Sequence, residues 1–202
     1  MEYTEYFNFN FILLKKITSI MAMLLMAMMP FALTSCDEDD EIAMTLEGTW
    51  QGDMKVYYDY NGHNYDATWS EICFEGNPFN WDHGTGYWVD YYKGSPWKRD
   101  YIASHIRWNV DHGIINVTFK EDNYKIQIHN YRLSDSRFRG TIYDGDKKIE
   151  FSLRHVESPY WDGYDYGWGD YDRWAYYSKS FGDVETPKAP ERPVRHFGTP
   201  KK

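Results

Sequence analysis

Cysteine, histidine and paired carboxylates are the side chains from which a reaction centre would be built. Cys73 stands in Ser70-Glu71-Ile72-Cys73-Phe74-Glu75. A nucleophilic thiol needs a cationic neighbour to hold it as thiolate. None stands beside Cys73, so it reads as a structural cysteine. Glu71 and Glu75 flank it, and a carboxylate pair is the machinery of glycoside hydrolysis. The plainer reading of the same pair is a solvated strand face. The seven histidines (His63, His83, His105, His112, His129, His155 and His196) form neither an HExxH motif nor a close cluster. With two cysteines in all, a zinc site has little support. Neither a Gly-x-Ser-x-Gly elbow nor a phosphate-cradling loop occurs. The expectation is a non-catalytic protein without cofactor or metal.

Aromatic side chains are the other chemically distinctive set, at 19% of the residues. One stretch runs from Phe79 to Tyr92 and on to Trp97 and Tyr101. The other, residues 158–177, holds nine rings in 20 residues, interleaved with Asp and Gly. Trp81, Trp88, Trp97, Trp161, Trp168 and Trp174 are the candidate ligand or partner surface. Three readings stay open: a flap packed over the folded body, a protein interface, or a glycan contact in which rings stack on sugar faces. A net charge of −9 argues against nucleic acid, because phosphate backbones select basic patches.

The N-terminus carries an address. Lys15-Lys16 precede an uncharged apolar run of 14 residues, Ile20–Leu33, which is short for a membrane span and suits a signal peptide over residues 1–35. The run ends in Leu33-Thr34-Ser35-Cys36, which resembles the lipobox of bacterial lipoproteins. That resemblance implies cleavage before Cys36, acylation of its thiol (palmitate among the chains) and a membrane as partner through the anchor. Asp37, Glu38, Asp39, Asp40 and Glu41 follow. They are similar to the acidic export signal of Bacteroidetes lipoproteins, which implies an outer-membrane lipoprotein of the cell envelope, exposed at the cell surface. Five adjacent carboxylates repel one another, so residues 36–45 are expected to be a solvated tether.

Between Thr49 and His155 the hydrophobic period is two. Ile102, Ile106, Trp108 and Val110 fall at even steps, with Ser104 the polar interruption. Ile115, Val117 and Phe119 alternate with Asn116 and Thr118, and Ile149, Phe151 and Leu153 with Glu150 and Ser152. Turn residues such as Asn61-Gly62, His112-Gly113 and Gly145-Asp146 separate the runs. The pattern predicts an all-β fold of eight strands, near 49–59, 65–75, 85–92, 101–110, 114–119, 124–131, 137–143 and 148–155. Joined by hairpins, they close most simply into an antiparallel up-and-down meander barrel, which removes the sheet edges. A sandwich or an open curled sheet is the alternative. Gly48-Thr49-Trp50 resembles the Gly-x-Trp that opens the first strand of lipocalin-like proteins. The resemblance implies that Gly48 and Trp50 close one end of a barrel over residues 46–156, with Arg154 packed on the Trp50 ring.

Residues 157–184 form the aromatic flap, and 185–202 a Pro-rich charged tail expected to be disordered. The functional expectation is a binding module for a small apolar ligand, a glycan or a partner protein. The alternatives are a structural or interaction subunit with a filled barrel and, last, a glycan-active enzyme.

Overall fold

The computed structural model describes residues 34–97, 99–168 and 192–200. The expected signal peptide therefore lies almost wholly outside the described residues. Among them, no helix is long and apolar enough to cross a membrane.

The fold is all-β, an eight-stranded closed antiparallel barrel with one short helix. Helix α1 spans Thr34–Leu46. The strands are β1 (Gly48–Asp53), β2 (Val56–Tyr60), β3 (His63–Asn77), β4 (Asn80–Tyr92), β5 (Tyr101–Asp111), β6 (Ile114–Phe119), β7 (Lys125–Ser134), β8 (Arg137–Asp144), β9 (Lys147–Val156) and β10 (Val194–Phe197). Each strand from β3 to β9 pairs with the next, and β1 closes the ring by pairing with both β3 and β9. The first predicted strand is split in two, because Lys55 takes φ 54 and offsets β2 from β1. Both halves remain paired to β3, and the outer partner changes: β9 flanks β1, β10 flanks β2.

Turn chemistry does what its residues require. Asn61-Gly62 (φ 51 and 75) and His112-Gly113 (φ 51 and 72) have both central residues left-handed, the twist that suits a two-residue hairpin. The interior is packed with side chains. Met54, Val56, Ile72, Phe74, Ile106, Trp108, Val117, Phe119, Ile126, Ile128, Ile142, Phe151 and Leu153 are at most 5% exposed. Small residues face large ones: a Cβ at Gly84 would lie 2.9 Å from the Trp108 ring.

Two expectations are corrected. Residues 36–45 are not an unfolded tether, since they lie within α1. Ala43 and Leu46 are buried in the core, and Asp39 accepts hydrogen bonds from the His112 and Gly113 amides (2.9 and 2.8 Å). Apolar burial on one side and capping of a hairpin turn outweigh the repulsion among carboxylates. The tail is not disordered throughout either. Its residues 194–197 form β10, because Arg195 and Phe197 both bury inside the barrel.

Trp50 is fully buried at the α1 end. Its indole N–H donates to the Leu46 carbonyl (2.8 Å), and its ring meets Phe138 and His155 edge-on. Gly48 stands at φ 119 with His155 against the place a Cβ would take. Arg154 does not pack on Trp50 as expected. It is exposed on the outer face and donates to the Gln51 side-chain oxygen. One residue of register decides this, since His155, not Arg154, lies opposite Trp50. Trp50→Ala should cost about 3–5 kcal/mol, read as a lowered urea midpoint; an unchanged midpoint would contradict closure around this ring.

Candidate ligand-binding site

Strand alternation aims one set of side chains at a common point inside the barrel. β4 sends Trp88, Asp90 and Tyr92 inward and turns Tyr87 and Tyr91 out. Ser70 on β3, Ser104 on β5, Tyr58 on β2 and Arg195 on β10 face the same place. Asp90 Oδ1 accepts from Ser70 Oγ (2.6 Å) and from the Trp88 indole N–H (2.8 Å). Arg195 donates from Nη2 to Ser104 Oγ (2.7 Å). Its Nη1 lies 3.7 Å from Asp90 Oδ2, and its Nε lies 3.7 Å from Asp122 Oδ2. The guanidinium sits 3.8 Å from the centre of the Phe119 ring and 5.3 Å from that of Tyr58. A desolvated contact of this kind contributes about 2 kcal/mol.

The centre is not saturated. Asp90 Oδ2, Arg195 Nε and Nη1, the Tyr58 and Tyr92 hydroxyls and the Trp97 indole N–H are buried with no hydrogen-bond partner among the described residues. Burial pushes the Asp90 carboxyl up, and the Arg195 charge opposes that shift. Burial holds the Tyr58 and Tyr92 phenols well above 10.0. Over this centre lies a cluster of rings in which Tyr58, Tyr65 and Tyr92 meet Trp97, and Tyr58 and Trp97 meet Trp168.

The predicted surface tryptophans thus separate. Trp88 and Trp97 are buried, the first beside Asp90 and the second in the ring cluster, and so are not surface residues. Trp168 is half-buried in the same cluster. Trp161 stacks on Tyr87 against the outside of β4 (5.2 Å between centres). Trp81 is half exposed at the β3–β4 end, and Trp174 lies outside the described residues. The described part of the flap packs across strand faces. Ser158 bonds Thr49 (2.6 Å), Tyr166 stacks on His105 (4.0 Å), and Tyr164 bonds Tyr91, which donates to Glu71 (3.0 Å).

Cys36 and Asp37 to Glu41 fall in α1. Cys73 is buried under the flap, and burial pushes its thiol up, so it stays protonated. Glu71, mostly buried, is engaged by Gln51 (3.1 Å) and Tyr91, a structural contact. Among the described residues no group of three or more His, Cys, Asp or Glu is placed to hold a metal ion. Asp90, Asp122 and Arg195 were not singled out from sequence. One mark was present: Ser104, the polar interruption of the β5 apolar face, is where Arg195 docks.

Residues 46–140 match the family model described as a lipocalin-like domain. No curated protein matches the chain. Among solved structures, a redesigned beta barrel is similar at 16% identity and a TM-score of 0.34, covering 57% of this chain and 95% of that one.

Two outcomes test the centre. Arg195→Met should destabilise by about 3–5 kcal/mol, since it strands a buried carboxylate. Adding Asp90→Asn should recover part of that loss, and simple additivity in urea melts would contradict the pairing. The buried phenols hold protons that an unfolded chain releases near pH 10, so stability falls as pH rises above about 10. Absorbance at alkaline pH should show a fraction of phenols ionising only with unfolding. Smooth titration of every tyrosine near pH 10 would contradict it.

Proposed function

We propose that this protein is a non-catalytic, lipid-anchored lipoprotein of the cell envelope, held in the outer membrane through Cys36 and exposed at the cell surface. Its lipocalin-like barrel is a binding module. The proposed ligand is small and apolar, with a polar group that reaches Asp90 and Arg195.

The observation that carries this reading is the unsaturated polar centre beneath the ring cluster. Apolar walls with a few convergent polar groups are the usual make-up of a small-molecule site. The address rests on Leu33-Thr34-Ser35-Cys36 and the acidic run behind it. A second reading, an interaction subunit working through its outer surface, is favoured by the packed interior. Phe79 (89% exposed), Trp81 (50%) and Tyr160 (77%) would then meet a protein or a glycan.

Titration of the mature protein with an apolar naphthylamine probe separates the two readings. Saturable, blue-shifted emission is expected, and Asp90→Asn should weaken it. No saturable binding would favour the interaction subunit. For the anchor, Cys36→Ser should abolish acylation and move the protein from detergent phase to water in phase partitioning; unchanged partitioning would contradict a lipid on Cys36.

A further inference from the structure

The group that fills the polar centre is delivered by a short strand from the far end of the chain. We propose that the slot holding β10 is an acceptor site for an extended peptide bearing an arginine and, two residues later, an aromatic ring. The chain's own C-terminal strand is its resident occupant. The inference rests on the barrel being a binding module and adds a second ligand class, which binds that centre in place of β10.

Three features carry it. The first is the backbone. The edge of β2 pairs antiparallel with β10 over four residues, Val194–Phe197 against Asp59–Val56. Added-strand recognition works this way, with main-chain bonds supplying affinity and alternate side chains supplying specificity. β10 ends the strand order, so it pairs with β2 alone among the described strands. Beyond the ladder, Gly198 N–H donates to the Lys55 carbonyl (2.8 Å) and Lys147 Nζ to the Phe197 carbonyl (3.4 Å).

The second feature is the pair of pockets at the spacing of alternate strand residues. The Arg195 pocket has Asp90, Ser104 and the Phe119 face. The Phe197 pocket has Trp88, Phe119 and Tyr124, with ring centres 5.9–6.3 Å away. The intervening positions make lighter demands. Val194 is 54% exposed, and His196 lies outside against Tyr57.

The third feature is that the resident leaves the first pocket unfulfilled. Two carboxylates face one guanidinium, and both 3.7 Å approaches are too long for hydrogen bonds. Beside them the Tyr58 and Tyr92 hydroxyls have no hydrogen-bond partner within geometric limits among the described residues. A peptide arginine seated in place of Arg195 would meet the same two carboxylates and hydroxyls. Being part of the chain, β10 competes at an effective concentration on the order of millimolar. Weakening the resident's side chains therefore exposes the site.

The test uses the full chain carrying Arg195→Ala and Phe197→Ala, with a fluorescein-labelled peptide of residues 192–199, Arg-Pro-Val-Arg-His-Phe-Gly-Thr. Fluorescence anisotropy should show saturable binding at least tenfold tighter than to the unmodified protein. Alanine at the peptide's second arginine should weaken binding tenfold or more, and N-acetylarginine amide should not compete at equal concentration. Absence of binding to a folded double variant, equal binding of the alanine peptide, or equal competition by the amide would each overturn the proposal. If the double variant does not fold, hydrogen exchange on the unmodified protein decides. Excess peptide should accelerate exchange of the Val194–Phe197 amides, and unchanged exchange would overturn the proposal. Loss of peptide binding with retained naphthylamine binding would remove this inference and leave the binding module standing.

Discussion

Arg195 carries its charge at any pH the protein meets, yet its side chain is only 1% exposed, inside a barrel lined mainly by apolar residues. Moving such a charge out of water costs several kcal/mol unless it is paired. The interior meets that cost from several strands at once: Asp90 from β4, Ser104 from β5, the Phe119 face from β6 and Asp122 just beyond it. Asp90 would be equally costly alone, and Ser70 and Trp88 hold its other oxygen. Removing either partner leaves the other a buried, uncompensated charge. The C-terminal strand and the barrel wall are thereby interdependent.

The two ends of the barrel are finished differently. At one end α1 inserts Leu46 beside Trp50, and Asp39 holds the β5–β6 turn. That end is apolar and its indole is satisfied. The other end carries the charged centre, the orphaned hydroxyls and the tyrosine–tryptophan cluster. Unspent polar capacity lies at the second. A binding reading belongs to the second.

The barrel was legible because period-two alternation and turn residues are local signals. Ile115, Val117 and Phe119 declare an inward face whatever lies across from them. Closure was legible from eight hairpin-joined strands that would otherwise leave open edges, and the Gly48-Thr49-Trp50 resemblance pointed to the same end of the barrel. Four things were not legible, each because a distant partner decides it. Arg154 and His155 differ by one residue of register, which local sequence does not fix. The acidic run became helical through contacts with a turn more than 70 residues away. In Val194-Arg195-His196-Phe197 the alternation is present, but an arginine at the inward position disguises it, and neighbouring prolines make the segment resemble a linker. Asp90 was similarly hidden, because a carboxylate marks an inward face only once its guanidinium is known.

Nuclear magnetic resonance of the Arg195 side chain tests the central claim most directly. A guanidinium 3.8 Å from the Phe119 ring centre should give a resolved, slowly exchanging Nε–H, upfield-shifted side-chain protons and cross-relaxation to Phe119. Arg195 signals at the positions of an unfolded chain, without contact to Phe119, would contradict a barrel organised around its own C-terminal strand.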